Sequence, residues 1–269
     1  MVIEKLAESS RRYPKFVFKG KRPSGRRVLD VENISKIYGD NIVLDNVSFE
    51  INRGERVAII GPNGIGKSTL LKIAMEKVEA DDGKFEWGYE THVGYFAQDH
   101  HEVVGDGPDT VESWLWGQCP TQPIGFVKGK LAEVLFGKDD VGKLIKALSG
   151  GEAARLVFSS ISVEQPNVLV LDEPTNHLDL EGIQALSDAL RTYDGTVIFV
   201  SHDRWFVSNI ATRILEIRPG GIEDYPGTYK EYLEHCGDDH LDADSVVKKE
   251  KKEKKEKKEA KKNKGSKKK

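Results

Sequence analysis

A short glycine-rich segment of this 269-residue chain has the residue types of a phosphate-binding loop. Residues 61–68 fit the pattern G-x-x-x-x-G-K-[ST], after a short apolar run and before a helical pattern, which is the context that the motif requires. Glycines allow backbone N–H groups to turn towards phosphate oxygens, and the N-terminus of the following helix adds a partial positive charge. Phosphate contacts are therefore predicted from nine consecutive residues: Gly61, Pro62, Asn63, Gly64, Ile65, Gly66, Lys67, Ser68 and Thr69.

Two side chains of this loop indicate which phosphates and which ion it would hold. Lys67 can reach the β- and γ-phosphates of a nucleoside triphosphate, and the Ser68 hydroxyl can ligate Mg²⁺. The alternative is a strand–turn–helix whose glycines serve geometry alone, and the adjacent lysine and serine argue against it. ATP and Mg²⁺ are the expected ligands.

Two adjacent carboxylates follow a second apolar run, at residues 168–171. Ligands of parallel sheets bind at the carboxyl ends of the strands. Asp172 can hold Mg²⁺ through water, and Glu173 is then placed to polarise an attacking water as a general base. Acidic residues often follow strands only as caps, but the phosphate loop upstream favours a catalytic pair.

Two further polar residues follow predicted strands. His202 follows the next apolar strand, and its neutral imidazole could donate to a γ-phosphate or position the water. A helix-capping segment from Ser201 to Asp203 with an incidental histidine is the alternative, and it is favoured when His202 is considered alone. Gln98, after the strand at 91–97, could contact Mg²⁺ or water through its amide.

A second turn of small residues predicts a second anion site. Residues 148–152, Leu-Ser-Gly-Gly-Glu, place Ser149, Gly150 and Gly151 at the start of a helix. One nucleotide does not need two phosphate-binding loops from one subunit. The economical interpretation is that this turn contacts the γ-phosphate of ATP bound to another molecule, and an ordinary Ser-Gly-Gly helix cap is the alternative.

The elements that must hold these residues alternate between strand and helix. Strands are predicted at residues 28–34, 42–51, 56–60, 84–87, 91–97, 168–171, 197–200 and 214–217. Helices are predicted at residues 67–75, 152–163, 180–191, 203–211 and 227–235. Residues 108–147 mix short helical stretches with Gly and Pro, which indicates a small helical subdomain. This alternation is typical of an α/β fold with a mainly parallel sheet covered on both faces.

The order of these motifs resembles that of ATP-binding cassette ATPases over residues 28–217. The resemblance implies a P-loop NTPase ATP-binding cassette, with a mainly parallel core sheet, an antiparallel β subdomain and a small helical subdomain. It also implies that Tyr38 stacks on adenine, for which a turn tyrosine packed on the sheet is the alternative, and that Asp179 crosses to a second cassette. The implied catalytic residues are Glu173, His202, Lys67 and Gln98, and the implied metal ligands are Ser68, Gln98 and Asp172.

Three further segments are similar to the ABC-F family, whose tandem-cassette ATPases act on ribosomes and translation. They are residues 174–179 (PTNHLD), 201–207 (SHDRWFV) and 225–233 (YPGTYKEYL). The match is to the C-terminal cassette of the energy-dependent translational throttle type. It implies Mg-dependent ATP binding and hydrolysis, with action on ribosomes.

The family has two cassettes joined by a helical linker, whereas this sequence contains one. We therefore expect a half-protein whose partner is a second cassette, either in a homodimer or in a separate half-protein. The expected organisation is a basic linker or arm remnant at 1–27, a cassette at 28–236 with its helical subdomain and signature loop at 108–150, and a disordered acidic hinge and Lys-rich tail at 237–269.

Charge is distributed unevenly along the sequence. Residues 248–269 hold 14 Lys and 4 Glu, a net charge of +10, and residues 1–30 hold nine basic and three acidic residues. Such ends could bind the phosphates of a ribosome or of rRNA by releasing counterions. A solvated tail that only aids solubility is the equal alternative.

The sequence contains no apolar run long enough to span a membrane and no signal-peptide pattern, and Cys119 and Cys236 match no metal or redox spacing. A cytoplasmic location is therefore expected.

Two other functions stay open. An ATPase subunit of a membrane ABC transporter shares every catalytic motif, although the segment at 174–179 favours ABC-F. An interaction protein that binds ATP without turnover is the other, and the complete catalytic set argues against it.

Overall fold

The computed structural model describes residues 13–236 and Leu241. Residues 1–12, 237–240 and 242–269 lie outside the described part, and with them nearly all of the predicted acidic hinge and Lys-rich tail. The strands are β1 (Arg27–Tyr38), β2 (Asn41–Asn52), β3 (Arg56–Ile60), β4 (Asp82–Trp87), β5 (Val93–Phe96), β6 (Val168–Asp172), β7 (Thr196–Val200), β8 (Arg213–Arg218) and β9 (Gly221–Tyr225). The helices are α1 (Lys67–Ala74), α2 (His101–Val104), α3 (Val111–Gln118), α4 (Ile124–Glu133), a 3₁₀ helix (Ile145–Ala147), α5 (Gly150–Glu164), α6 (Leu180–Thr192), α7 (Arg204–Ile210) and α8 (Tyr229–Cys236).

Six strands form the core sheet in the order β5-β6-β7-β3-β8-β9. The first five are parallel, and β9, which the sequence patterns did not predict, runs antiparallel to β8. Every residue of β6 and β7 is buried. Burial on both faces explains why these strands are continuous apolar runs rather than alternating patterns. The predicted α/β fold with a mainly parallel core sheet is therefore confirmed.

A second, antiparallel sheet covers one face of the core sheet. Its order is β2-β1-β4, and its apolar side chains share one buried cluster with α1 and the core strands. The strands predicted at 84–87 and 91–97 belong to different sheets, because β4 pairs with β1 whereas β5 pairs with β6. The predicted antiparallel β subdomain is thus present beside the core sheet.

Helices cover the other face of the core sheet. The region predicted as a helical subdomain contains α3, α4 and the 3₁₀ helix, and α3 and α4 both pack on α5. Val111 and Leu115 in α3, and Val127 and Leu131 in α4, are fully buried. The spacing of four residues places each pair on one side of its helix, towards α5.

The described part of the predicted linker or arm, residues 13–26, packs against these helices. Phe16 and Phe18 are each only 6% exposed, and the Phe16 ring lies 4.9 Å from that of Phe158 in α5. The Lys15 backbone N–H donates to the carbonyl oxygen of Glu133 at 2.7 Å. This segment therefore contributes to the main apolar core, which its polar and basic composition did not indicate.

Candidate active site

The carboxyl ends of three adjacent strands meet at one edge of the core sheet. β7 lies between β6 and β3, and the loops after these three strands contain Glu173, His202 and the phosphate loop at 61–68. Asp172 is the last residue of β6 and lies opposite Val200 of β7. Parallel topology thus brings together site residues from three separate parts of the sequence.

The phosphate loop has a conformation that requires glycine at two positions. Gly66 has a φ of 105°, and a Cβ there would lie 2.7 Å from both a side-chain carbon and the carbonyl oxygen of Val43. Gly61 has a φ of 144°, and a Cβ there would lie 2.6 Å from the carbonyl oxygen of Ile217. Any larger residue would meet fixed backbone at both places. The loop is therefore held between β2 of the antiparallel sheet and β8 of the core sheet.

The helix that follows this loop begins without a side-chain cap. Its N-cap residue is Gly66 and its first turn contains no acidic residue, whereas Ser149 caps α5 and Asp179 caps α6. The first-turn N–H groups of α1 and the positive end of its dipole therefore suit an anionic ligand.

Lys67 provides a positive charge inside the same loop. It is 7% exposed, and its ammonium group donates to the carbonyl oxygens of Gly61 at 2.9 Å and Pro62 at 3.0 Å. Burial lowers the pKa of Lys67, while the charges of Glu173 and Asp172 raise it. The ammonium group is thus electrostatically coupled to both carboxylates.

Asp172 is a fully buried carboxylate with one unsatisfied oxygen. The Ser68 hydroxyl donates to its Oδ1 at 3.0 Å, and Oδ2 has no hydrogen-bond partner among the described residues. Burial raises the pKa of Asp172 to about 6, against the opposing effect of the Ser68 hydrogen bond. A buried carboxylate with a free oxygen next to a hydroxyl fits Mg²⁺, which prefers oxygen ligands and is usually held by few protein groups together with substrate phosphates.

Glu173 and His202 form a second pair at this edge. Glu173 is 5% exposed, and its Oε2 accepts from the His202 backbone N–H at 3.1 Å. Oε1 lies 3.3 Å from His202 Nε2 and makes no hydrogen bond within the described residues. Burial raises the pKa of Glu173, and burial followed by the charge of Lys67 lowers the pKa of His202. A carboxylate of raised pKa beside a neutral imidazole suits proton transfer near neutral pH.

Two other predicted site residues lie at the rim. Tyr38 ends β1 and is 49% exposed, with Lys36 Nζ 5.4 Å from its ring centre. Its hairpin continues into β2, where Val43 contacts the phosphate loop. Gln98 is exposed two residues beyond β5, and it makes no hydrogen bond to Ser68 or Asp172 within the described residues.

The predicted second anion site belongs to a different part of the surface. Ser149 caps α5, with its Oγ accepting from the Glu152 N–H at 3.3 Å. Across residues 13–236, no hydrogen bond joins the turn at 149–151 to the phosphate loop. Within the described residues of one chain, the structure therefore separates the two motifs that the sequence predicts to bind phosphate.

The turn at 149–151, called the signature turn below, instead packs against His177, which belongs to the segment at 174–179 but for which the sequence predicted no role in a site. A Cβ on Gly150 would lie 3.0 Å from the His177 ring, and a Cβ on Gly151 would lie 2.8 Å from the His177 carbonyl oxygen. His177 has a φ of 65°, and no local sequence signal identifies a histidine in this left-handed conformation. Two residues further on, Asp179 caps α6 by accepting from the Gly182 N–H at 2.8 Å.

Comparisons with known proteins agree with this arrangement. The family model described as ABC transporter matches residues 44–176. Probable ATP-binding protein YbiT of Escherichia coli O157:H7 is 41% identical over 237 residues, which cover 87% of this chain and 44% of that protein. ABC transporter F family member 5 of Arabidopsis thaliana is 39% identical, over 86% of this chain and 34% of that protein. Energy-dependent translational throttle protein EttA of Escherichia coli K12 is 38% identical, over 78% of this chain and 39% of that protein.

The chain contains an ATP-binding cassette that is homologous to those of ABC-F proteins. Its resemblance to that family, and with it the class of P-loop ATPases, is therefore confirmed. The cassette spans less than half the length of the three relatives above.

The cassette fold also occurs in a bacterial Atm1-family ABC exporter solved with ATP bound. The TM-score is 0.69 at 21% identity, over 88% of this chain and 43% of that one, and the likeness shows a shared fold. In the part of the cassette that the structure describes, no helix has the length and apolar character that crossing a membrane requires.

The buried carboxyl group of Asp172 should make the ligand-free cassette less stable as pH rises. Its pKa is about 6 in the fold against an ordinary 3.8, so between these values the folded state keeps a proton that the unfolded chain has released. Stability therefore falls through this window, and the loss above it is on the order of 3 kcal/mol. We expect Asp172→Asn to exceed the wild type in stability by this amount at about pH 8 and to match it near pH 4.

Urea unfolding of both proteins without nucleotide or Mg²⁺ measures this difference. Asp139→Asn, which changes an exposed carboxyl group, is the control and should show no pH-dependent gain. A difference between Asp172→Asn and the wild type that stays constant across pH would contradict the assignment.

Proposed function

We propose that this cassette binds and hydrolyses Mg·ATP at the edge formed by β3, β6 and β7, and that it does so in partnership with a second cassette. The observation that carries the proposal is the juxtaposition of an uncapped α1 N-terminus and Lys67 with the buried pair Asp172 and Glu173. Positive groups for a triphosphate and negative groups for a cation and a water lie side by side. Phosphoryl transfer depends mainly on such positioning and electrostatics.

Nucleotide binding is assigned to the phosphate loop and the hairpin beside it. The first-turn N–H groups of α1 and the Lys67 ammonium would bind the phosphates. Tyr38 would stack on the base, since its ring is half exposed and its hairpin leads to Val43 at the phosphate loop. Large aromatic faces of this kind provide apolar contact area at low entropic cost.

Mg²⁺ would be held by Ser68 and Asp172, with Gln98 as a further oxygen donor. The free Asp172 Oδ2 and the hydroxyl already directed at Oδ1 support this assignment. When bound, the ion would neutralise developing charge on the β- and γ-phosphate oxygens.

The chemical step is assigned to Glu173 and His202. Glu173 would accept a proton from water as the water oxygen attacks the γ-phosphorus and the bond to the bridging oxygen breaks. Its raised pKa brings it closer to the working pH of a general base. His202, whose lowered pKa keeps the ring neutral, would orient the water or the γ-phosphate.

A second cassette would complete the site. Ser149, Gly150 and Gly151 lie at a helix N-terminus, where Ser149 hydrogen-bonds to Glu152 and none of the three bonds to the phosphate loop in the described part of the chain. They would therefore serve a nucleotide on another molecule. Asp179, at the start of α6, would lie at the same junction. A homodimer and a separate half-protein both satisfy this requirement.

Glu173→Gln should abolish turnover and retain ATP binding. Loss of a general base lowers the rate by about 10²- to 10⁴-fold, while the neutral amide keeps the shape of the site. Because the closed, unhydrolysed state then accumulates, we expect an ATP-dependent dimer of this variant, detected by size-exclusion chromatography with light scattering. Glu79→Gln, an exposed substitution in the same chain, should stay active and should not accumulate an ATP-dependent dimer. A Glu173→Gln protein that binds ATP but stays monomeric would refute a composite site formed by a homodimer.

We further propose that the cassette acts on ribosomes. It would do so in the cytoplasm, where ATP and ribosomes are both present. A relative with 38% identity is named an energy-dependent translational throttle protein. Residues 248–269 carry a net charge of +10, which suits binding to rRNA phosphates without sequence readout.

Cosedimentation with ribosomes across a salt series tests this part. The full chain should bind with an affinity that falls steeply with salt, and deletion of residues 248–269 should weaken binding and flatten that dependence. A scrambled tail of the same composition should restore binding, since phosphate contacts carry no sequence information. Identical cosedimentation profiles with and without residues 248–269 would show that the tail does not contribute to ribosome binding.

A further inference from the structure

Two histidines connect the nucleotide edge to the signature turn within one cassette. His100 lies two residues after Gln98, and His177 lies between Glu173 and Asp179. Their ring centres are 5.7 Å apart and their planes cross at 82°, an edge-to-face contact. No motif described above includes either residue in a catalytic or binding role.

His177 is closely fitted to the signature turn. A side chain on Gly151 would clash with the His177 carbonyl oxygen, and one on Gly150 would lie tightly against the His177 ring. The loop that carries it is fixed by two backbone hydrogen bonds, from the Asn176 N–H to the Glu173 carbonyl oxygen and from the Leu178 N–H to the Thr175 carbonyl oxygen. A displacement of His177 would therefore move the turn at 149–151 or collide with it.

His100 has a buried acceptor without a hydrogen-bond partner in the described part of the chain. The residue is 4% exposed, and its Nδ1 lies 3.1 Å from the carbonyl oxygen of Ala97. A carbonyl oxygen only accepts, so Nδ1 carries the proton and Nε2 presents a lone pair. Nε2 has no hydrogen-bond partner among the described residues, although buried polar atoms normally have one.

The His100 ring has little freedom to find another partner by itself. It packs on Phe96 at 4.7 Å between ring centres, and Phe96 stacks on Phe158 of α5 at 4.3 Å. The other residue of the pair, His177, is exposed. The unsatisfied acceptor is therefore fixed, and the histidine beside it is the less buried of the two.

We propose that His177 is a positioning residue for the signature turn, and that its ring N–H donates to His100 Nε2 when Mg·ATP occupies the site beside Gln98. The proposal rests on the function proposed above. The new hydrogen bond links the segment after β5 to the turn at 149–151, so nucleotide in one site favours the turn conformation that completes the site of the other cassette. Nucleotide binding in one site and the position of the turn at 149–151 are then thermodynamically coupled.

Substitutions of His177 separate this role from simple packing. His177→Phe keeps an aromatic ring against Gly150 but has no N–H donor, and His177→Gln keeps a donor but has no ring. We expect His177→Phe to raise the KM for ATP by on the order of 10-fold with little change in kcat, because it removes coupling rather than chemistry. The KM of His177→Gln for ATP should stay close to that of the wild type. His101→Phe, an exposed neighbour of His100, is the matched control and should leave both constants unchanged.

Imidazole ¹⁵N NMR on the full chain observes the bond itself. Adding Mg²⁺ and a non-hydrolysable ATP analogue should move the His100 Nε2 resonance upfield, as expected for an acceptor that gains a hydrogen bond. The shift should be absent in His177→Phe and present in His101→Phe. Thermal unfolding monitored by circular dichroism verifies that each variant is folded.

The outcomes distinguish this proposal from the one on which it rests. Nucleotide binding by the wild type without a change at His100 Nε2, or the same change in His177→Phe, would overturn the histidine contact alone. A wild-type KM in His177→Phe would overturn it as well. Failure of the wild type to bind the nucleotide at all would overturn the proposed function and this inference together.

Discussion

Two carboxylates buried at the end of a central strand, with one buried ammonium group beside them, are the constraint on which the rest of the site depends. Asp172 and Glu173 occupy a position where ionisation is costly, and burial raises the pKa of both. Lys67 and the uncapped N-terminus of α1 supply positive charge nearby, but Asp172 Oδ2 has no hydrogen-bond partner among the residues that the structure describes. The fold thus maintains an electrostatic imbalance that a bound cation and triphosphate would relieve.

The surrounding architecture holds this imbalance in a fixed geometry. β6 and β7 are buried on both faces, so the residues after them have little freedom to move away. The antiparallel sheet closes against Gly66, and the core sheet closes against Gly61, so the phosphate loop cannot relax outward. A second binding motif, the turn at 149–151, makes no hydrogen bond to the phosphate loop in the described part of the chain and packs against His177 instead. One cassette therefore contains parts suited to two different sites.

Much of this arrangement was predictable because the signals are local. The glycine pattern at 61–68, and the carboxylates after the apolar run of β6, are short motifs whose meaning does not depend on distant residues. The four-residue α2 was missed because one helical turn is too short to show a periodicity, and β9 was missed because its sequence, GIEDY, has no apolar run like those of β3, β6 and β7. Partners across the fold were not predictable either. β4 and β5 differ in sheet membership, Phe16 and Phe18 are buried within a basic segment, and His177 meets the signature glycines only after the chain has folded.

The most direct test of the central claim is the affinity for ATP, with and without Mg²⁺, measured by isothermal titration calorimetry on Lys67→Ala and Lys77→Ala. Both variants remove one lysine, but Lys67 is buried beside the carboxylates whereas Lys77 lies partly exposed, next to Glu102. The account predicts that Lys67→Ala loses ATP binding at least 10-fold, because charge-assisted hydrogen bonds to phosphate are lost, and that Lys77→Ala binds as the wild type does. Equal affinity in all three proteins would contradict the account.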